Sequence, residues 1–194
     1  MKSVSTCPIA HEVILSKTPG LGLARNNGVR KSSFPFLVFL DDDIQFDGQL
    51  WDVLFSTKPN TIVMAAVASR PCSRVLAIHK SDFWRIGGFN ENIKLSGEDT
   101  DFQLRAEDQG FQILRIPDRL IQHKNHETRF RGLNSIRKEM ETAYLFIKYG
   151  RRYGSYRRRF VSSNIKYLRA FQLKLLLIKF LAFTYNIIRQ CFHL

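Results

Sequence analysis

The feature that most constrains the fold is a short apolar run that ends in three consecutive carboxylates. Residues Phe36 to Leu40 follow Pro35 and lead directly into Asp41, Asp42 and Asp43. A run of this length between a proline and polar residues is typical of a strand buried on both faces. In a parallel α/β sheet, the carboxyl ends of the strands form the edge where ligands bind. The sequence therefore predicts an acidic site at one edge of a sheet.

Two of the three carboxylates are spaced to act together. Side chains alternate along an extended chain, so Asp41 and Asp43 are expected to point the same way, where their like charges repel unless a cation lies between them. Carboxylate oxygens are ligands that Mg²⁺ and Mn²⁺ take. The alternative is a solvated loop that leads into a helix at Gln49 to Phe55, with no ligand role for the acids.

The composition favours a globular class and an anionic partner. The chain has 194 residues, of which 44% are hydrophobic and 24% charged, unlike a disordered protein. A total of 30 Lys and Arg against 17 acidic residues gives a net charge of +13, which predicts a nucleotide, a nucleic acid or an anionic lipid as partner. The three cysteines are odd in number and widely spaced, and no apolar run near the start resembles a signal peptide. Reduced thiols and a cytoplasmic location are expected.

The first two thirds of the chain alternate between strand and helix patterns. Besides the acidic strand, the predicted strands are 11–15, 61–67, 75–78 and 111–116. The predicted helices are 21–28, 50–55, 81–86 and one from Ser96 to about Gly110, with Ser81 as a cap and Gly87-Gly88 as a helix end. This order predicts an α/β fold, a mostly parallel sheet flanked by helices.

A second acidic cluster opens the last of these helices. Asp101 and Arg105 are four residues apart, so we expect them to pair on one helix face. Ser96 and Asp99 are spaced as a capping box, which explains one acid structurally. A carboxylate of Glu98 or Asp99 at the helix start, ionised at neutral pH, could instead take a proton from an incoming hydroxyl.

Other polar residues are expected near the same edge of the sheet. Arg25 and Asn26 lie in the predicted helix that precedes the acidic strand, although a connector with a solvated arginine explains them as well. His123 or His126, after the last predicted strand, could complete a metal site with the Asp triplet. A lone histidine is more often a hydrogen-bonded surface residue, so spacing leaves both readings open.

Five segments in this order resemble the family 2 glycosyltransferases and their GT-A relatives. They are Ala-Arg-Asn-Asn-Gly at 24–28, Phe-Leu-Asp-Asp-Asp at 39–43, Gly-Gly-Phe-Asn-Glu at 87–91, Gly-Glu-Asp-Thr-Asp-Phe-Gln-Leu-Arg at 97–105 and a following histidine. The resemblance rests on their order, since none is specific alone. It implies a nucleotide-sugar-binding α/β fold in which a DxD motif holds a divalent metal, Mn²⁺ or Mg²⁺, on the donor diphosphate.

The resemblance implies a metal and donor site. Asp43 and His123 would ligate the metal, with His126 as the alternative histidine, and Asp41 would contact the ribose or a metal-bound water. The other residues implied to contact the donor are two adjacent pairs, Arg25-Asn26 and Gly87-Gly88. Glycine suits such a contact because a residue without a Cβ lets the backbone approach the sugar.

The resemblance also implies transfer of a single sugar to a hydroxyl. Asp99 would be the catalytic base, and Glu98 would help position the acceptor, which is a glycan, a lipid-linked sugar or a polypeptide. The metal would stabilise negative charge on the departing nucleoside diphosphate. Direct attack without a protein nucleophile inverts the anomeric centre. The sequence has no Gln-x-x-Arg-Trp motif of the processive synthases, which favours single transfers.

The chain departs from this family at its start. Family members begin with a strand ending in Pro-Thr/Ser-Tyr-Asn and a second ending in Asp-Asp-Gly-Ser, and neither motif occurs here. Because the acidic strand already begins at Phe36, we expect an N-terminally truncated GT-A-like domain without the usual first βαβ unit. Two alternatives follow, an inactive transferase-like binding or scaffold protein and a basic nucleic-acid-binding protein. The acidic clusters argue against nucleic acid, since they repel phosphate unless a metal intervenes.

The end of the chain has a different composition, which predicts a transferase-like domain over 1–130 and a helical extension over 131–194. Leu133 to Tyr149 is an amphipathic helix, and 150–159 is a basic linker with interleaved tyrosines. The remainder is apolar with spaced cations, at Lys166, Arg169, Lys174, Lys179 and Arg189. Its charge-free runs are much shorter than the roughly 20 apolar residues of a spanning helix.

This composition predicts an interfacial helix. Residues 150–194 are expected to lie on an anionic membrane surface, at the inner face of the cell membrane. The alternative is a helix packed on its own domain or on a second subunit.

Overall fold

The chain divides into two compact units. The computed structural model describes residues 4–16, 18–67, 70–123, 133–153 and 173–191. The first unit consists of Met1–Lys94 and Glu98–Glu127, and the second of Leu95–Gly97 and Thr128–Leu194.

The first unit is an α/β structure, as predicted. Its helices are α1 (Leu21–Lys31), α2 (Leu50–Phe55), α3 (Lys80–Ile86) and α4 (Glu98–Asp108). Its strands are β1 (Phe36–Leu40), β2 (Ile44–Phe46), β3 (Thr61–Val67), β4 (Arg70–His79), β5 (Gln112–Arg115) and β6 (Ile121–His123). Short 3-10 turns span Val4–Thr6 and Asp118–Leu120.

The strands run in mixed directions. One sheet has the spatial order β1-β4-β3-β5, and β2 pairs with β6 in a second sheet. The prediction of a mostly parallel sheet is wrong, because β4 is antiparallel to both β1 and β3, while β3 and β5 are parallel. Since β3 ends at Val67 and β4 begins at Arg70, no crossover of a dozen or more residues, which parallel neighbours need, fits between them.

Helices pack on both faces of the main sheet, as predicted. Side chains of the two central strands alternate between the faces, because successive residues of a strand point to opposite sides. One face joins a core cluster with residues of α1, α3 and α4, and its strand members include Ile62, Met64, Leu76 and Ile78. The other face packs on α2, and its strand members include Val63, Ala65, Val75 and Ala77. The central strands are therefore buried on both sides.

The acidic strand β1 lies at the edge of the sheet. It pairs with β4 from Phe36↔His79 to Leu40↔Val75. Leu37 is buried and the other residues of β1 are partly exposed, so the prediction of burial on both faces is wrong for this strand. The end of the strand lies where it was predicted, and the backbone N–H of the next residue, Asp41, donates to the carbonyl of Arg74 (2.9 Å). The Asp triplet is therefore anchored beside β4.

Several helix ends differ from the predicted ones. Gly28 does not terminate α1, which continues to Lys31. Helix α3 is preceded by His79 without a side-chain cap, so Ser81 is not the cap. It does end at Gly87, whose left-handed φ of 95° favours glycine. The segment 11–15, predicted as a strand, has no regular secondary structure.

The described part of the second unit contains two helices that pack on each other. They are α5 (Leu133–Tyr149), with the bounds predicted from the sequence, and α6 (Leu173–Cys191); a 3-10 turn covers Gly150–Tyr153. Glu141 of α5 accepts hydrogen bonds from the backbone N–H groups of Leu95 (2.9 Å) and Ser96 (3.0 Å). No helix in the described part of the chain has the length and apolar character to cross a membrane. The predicted linker beyond Tyr153 lies outside the described residues.

Candidate functional site

The two acidic clusters meet at one arginine. Arg25 of α1 donates from one guanidinium nitrogen to Oε1 of Glu98 (2.7 Å) and from the other to Oδ1 of Asp41 (3.0 Å). The Glu98 side chain is 5% exposed and that of Arg25 12%, whereas Asp41 retains 35%. Charged hydrogen bonds of this length are strong when shielded from water. The structure thus brings Arg25, Asp41 and Glu98 together, with Asp41 nearest to solvent.

Packing holds the Arg25 guanidinium in this position. It lies over the ring of Phe89, with 5.2 Å between the guanidinium carbon and the ring centroid. Burial disfavours the charge of Arg25, but Glu98 and Asp41 more than offset this, so its pKa is raised. Arg25 therefore stays charged and supplies a fixed positive group between the two acidic clusters.

Glu98 is a buried acid with a shifted pKa. Burial raises the pKa of Glu98 to about 6, the neighbouring charge of Asp99 adds to the shift, and Arg25 opposes it. Its carboxylate pairs with Arg25 at the start of α4, and its role in positioning an acceptor stays a prediction. Asp99 is partly exposed, and its Oδ1 accepts a hydrogen bond from the backbone N–H of Thr100 (2.7 Å). Of the Glu-Asp pair, Asp99 is the member nearer to solvent.

The charge of Asp43 acts on Asp41. The pKa of Asp41 is raised, first by burial and also by the charge of Asp43, while Arg25 and Arg74 act in the opposite direction. The Oδ1 atom of Asp43 is shielded from solvent. A shared cation between these two carboxylates stays a prediction.

The Asp triplet offers oxygen ligands to a divalent cation. No three His, Cys, Asp or Glu side chains in the described residues are grouped so that they could hold a metal ion. Mg²⁺ at phosphate sites, however, uses one or two carboxylates and completes its shell with substrate phosphates and water. The partly exposed Asp41 with Asp43 beside it fits that kind of ion, although Arg25 competes for Asp41.

The pairing of strand β2 with strand β6 brings the backbone of His123 beside the residue that follows the Asp triplet. Strand β2 begins immediately after Asp43, and its first residue, Ile44, pairs with His123 of β6. The side chain of His123 and the whole of His126 lie outside the described part of the structure. Metal ligation by either histidine therefore stays a prediction.

Cys72 lies near both acidic clusters, and the sequence did not identify it as a residue of the site. This partly buried, free cysteine lies on β4, opposite Ala65 of β3. Burial raises its pKa, and the charges of Asp99 and Asp41 raise it further. Both acidic clusters thus act on this thiol. A single cysteine has no spacing signal, and the only available hint was its position just before the predicted strand at 75–78.

Asn26 is held by hydrogen bonds within the protein, and its contact with a donor stays a prediction. Its side chain is buried; its amide nitrogen donates to the Phe89 carbonyl (2.9 Å) and its oxygen accepts from the Phe89 N–H (2.9 Å). The amide also donates to Glu91 (2.9 Å). Asn26 therefore ties α1 to the segment after Gly88.

The Gly87-Gly88 turn is held by α4. Arg105 pairs with Asp101 (2.8 Å), as predicted, and donates to the carbonyls of Ile86 and Gly88 (both 2.7 Å). Gly88 has a φ of 66°, and a Cβ there would lie 3.0 Å from Oδ1 of Asn26. Both glycines are explained by backbone conformation and packing, and their approach to a donor sugar stays a prediction.

Residues 68–129 match the family model described as the N-terminal domain of galactosyltransferase. This segment contains Cys72, Gly87-Gly88, Glu98-Asp99 and His123, whereas Arg25 and the Asp triplet precede it. The predicted similarity to glycosyltransferases is confirmed over this segment, and it covers less than half of the chain. Sugar transfer is the activity of the enzymes that it resembles.

A solved structure is also similar. The catalytic domain of Drosophila β1,4-galactosyltransferase 7 in complex with xylobiose has 18% sequence identity and a TM-score of 0.44, over 54% of this chain and 51% of that one. The chain thus spans about half the length of the solved structure that it matches. No curated protein matches the chain significantly.

The two acidic segments of the first unit meet at one cation. Asp41 and Glu98 both pair with the guanidinium of Arg25, and Asp43 acts electrostatically on Asp41. These groups converge from α1, the end of β1 and the start of α4.

Proposed function

We propose that the protein transfers a single sugar from a nucleotide-sugar donor to a hydroxyl acceptor, with a divalent cation, Mn²⁺ or Mg²⁺, bound at the Asp triplet. The observation that carries the proposal is the Arg25 bridge, which brings the acidic end of β1 and the acidic start of α4 together. The glycosyltransferase-like segment at 68–129 supports it, because that segment contributes the second of these acidic groups.

The donor diphosphate is assigned to the Asp triplet. Asp43 and Asp41 are the carboxylates that would hold the cation, and His123 is the histidine nearest to them along the chain pairing. When bound, the cation neutralises charge on the departing nucleoside diphosphate. Arg25 keeps Asp41 in position, since its second nitrogen is anchored by the buried Glu98.

The acceptor is assigned to Asp99. Its partly exposed carboxylate can accept the proton of an incoming hydroxyl as that oxygen attacks the anomeric carbon. The sugar-phosphate bond breaks in the same step, and the electron pair leaves with the diphosphate. Direct attack of this kind inverts the anomeric configuration. Glu98 acts as the anchor of Arg25 in this proposal.

Two substitutions and a neighbouring control test these roles. Asp43→Asn should abolish Mn²⁺-dependent binding of UDP-, GDP- and dTDP-sugars in calorimetry, whereas Asp42→Asn, at an exposed position next to it, should leave binding unchanged. Asp99→Asn should preserve donor binding and lower transfer by about 100-fold or more, the usual contribution of a general base. The proposal fails if Asp43→Asn retains metal-dependent transfer, or if Asp99→Asn stays within a few-fold of wild type.

The Arg25 bridge also favours a second candidate, a binding or scaffold protein without turnover. Arg25 already compensates Asp41 and Glu98, so these acids do not require a metal for their charge balance. The same calorimetry distinguishes the two candidates. Donor binding without hydrolysis or transfer in a radiolabelled-sugar assay, whether or not the binding needs Mn²⁺, supports the scaffold.

A further inference from the structure

The outer face of helix α6 is apolar. Leu177, Phe180, Leu181 and Tyr185 are between 53% and 62% exposed. Their spacing of three, four and eight residues from Leu177 places them on one side of an α-helix. A water-facing helix surface normally carries charged or polar groups. This face has the opposite character.

Two polar residues of α6, Lys179 and Asn186, contact its helix partner α5. Lys179 is 4% exposed and its ammonium lies 3.3 Å from Oε2 of Glu139 on α5. Asn186 is also 4% exposed and donates to the carbonyl of Met140 (3.3 Å) and to that of Ala182 (2.8 Å). Lys179 is therefore not one of the cations available to lipid headgroups, contrary to the sequence expectation. Among the described side chains of α6, Lys179 and Asn186 are thus buried, whereas Leu177, Phe180, Leu181 and Tyr185 are exposed.

A polar residue on the outer face is satisfied within the helix. Thr184 lies between Leu181 and Tyr185, and its hydroxyl donates to the carbonyls of Phe180 (3.1 Å) and Leu181 (3.0 Å). This back-bonding removes the need for water at the hydroxyl, as in threonines of helices that contact lipid. The outer face can therefore lose its water while the Thr184 hydroxyl keeps a hydrogen bond.

We propose that this face of α6, formed by Leu177, Phe180, Leu181 and Tyr185, lies on an anionic lipid surface. The argument for lipid as the occupant is charge. Residues 133–194 contain thirteen Lys and Arg against two acidic residues, Glu139 and Glu141, and both acids already bind groups of the second unit. A basic segment is attracted to anionic headgroups, whereas two copies with a net charge of +13 each repel one another.

The geometry fits a helix that lies in the membrane plane. The described helices include none that is long and apolar enough to cross a bilayer. An interfacial helix buries one apolar face at the boundary between headgroups and acyl chains, and the exposed face of α6 could be buried in this way. This inference is independent of sugar transfer, because it uses no residue of the first unit.

Vesicle flotation of the full chain tests the proposal. Binding is expected to phosphatidylcholine vesicles that contain phosphatidylserine, to weaken with added salt, and to be much weaker with phosphatidylcholine alone. The double variant Phe180→Ser/Leu181→Ser should lower binding by about 10-fold or more, because each side chain loses a large apolar burial. Leu15→Ser/Leu114→Ser is the matched control, with exposed leucines in the first unit, and should bind as wild type. Equal binding of both double variants overturns the proposal, as does equal binding to both vesicle types.

A second measurement does not depend on removing apolar residues. Tryptophan introduced by Phe180→Trp should be quenched by brominated lipid in the vesicles, and tryptophan introduced by Leu15→Trp should not. Failure to quench at position 180 overturns the proposal. Size-exclusion chromatography identifies the competing occupant: a dimer that Phe180→Ser/Leu181→Ser converts to a monomer, without vesicle binding by wild type, would assign this face to a second copy.

Discussion

The guanidinium of Arg25 lies 2.7 Å from Oε1 of Glu98, although 73 positions separate the two residues in the chain. The other guanidinium nitrogen reaches Asp41 at 3.0 Å. The cation between the two acidic clusters of the first unit is thus provided by the chain itself.

Loss of Arg25 should destabilise the first unit strongly. Arg25→Ala leaves the buried carboxylate of Glu98 without its ion-pair partner, and breaking a buried pair costs about 3–5 kcal/mol. Arg30→Ala is the matched control on the same helix, because Arg30 is 51% exposed and pairs with an exposed Glu91, which is worth about 1 kcal/mol or less. Urea unfolding of the two variants measures the difference. Similar losses of stability in both would show that the Arg25 bridge has no special weight.

The raised pKa of Glu98 should make stability depend on pH. Burial raises this pKa from 4.5 to about 6, so the folded protein binds the proton more tightly than the unfolded chain does. The contribution of Glu98 to the free energy of unfolding should therefore fall as the pH rises from 4.5 to about 6, by about 2 kcal/mol in total. The raised pKa of Asp41 acts in the same direction.

The variant Glu98→Gln isolates this contribution, because glutamine does not titrate. Denaturant unfolding at several pH values measures the free energy of unfolding. Between pH 4.5 and about 6, this free energy should decline less steeply for the variant than for wild type. An identical pH profile for both proteins would contradict the assignment of the raised pKa to Glu98.

Two glycines should respond in opposite ways to the same substitution. Gly88→Ala places a Cβ 3.0 Å from Asn26 and 3.1 Å from Trp84 at a φ of 66°, so we expect a loss of about 2 kcal/mol or more. Gly28→Ala lies inside α1 with nothing within 4 Å of the added Cβ, and it should stabilise by about 0.5–1 kcal/mol. Thermal unfolding of both variants tests the pair, and stabilisation by Gly88→Ala would be incompatible with this turn.

The reactivity of Cys72 should report on Asp99. Removing a nearby negative charge lowers the pKa of the thiol, so Asp99→Asn should speed maleimide labelling of Cys72 by about two-fold or more at neutral pH. The experiment uses a protein in which Cys7 and Cys191 are replaced by serine. Asp52→Asn, at an exposed position of α2, should leave the labelling rate unchanged. An unaltered rate in Asp99→Asn would place Asp99 away from the thiol.

Local patterns predicted most elements of the fold. The bounds of α2, α5 and β3 agree with the sequence because their apolar spacing and flanking residues are local signals. The strand directions did not follow from these local patterns. The predicted strands 61–67 and 75–78 are separated by a segment too short for the crossover that parallel neighbours need, and this segment indicates an antiparallel pair.

The candidate site was predictable only in part. The acidic residues of both clusters were found because consecutive carboxylates at element ends are conspicuous in a sequence. Their connection through Arg25 was not, since a contact between residues 73 positions apart depends on how α1 packs against the sheet. Cys72 and Arg74 were not predicted as residues near the site, because β4 begins earlier in the chain than its run of apolar residues indicates.

The antiparallel pairing of β3 with β4 has a consequence for how the first unit assembles. Its partner residues, such as Val67 and Arg70, are close in sequence, whereas β5 joins β3 through pairs such as Thr61 with Gln112. Short loops cost less entropy to close than long ones, so β3 and β4 are expected to form a nucleus on which β1 and β5 later dock. Substitutions in this pair should slow refolding, and those in β5 should mainly speed unfolding.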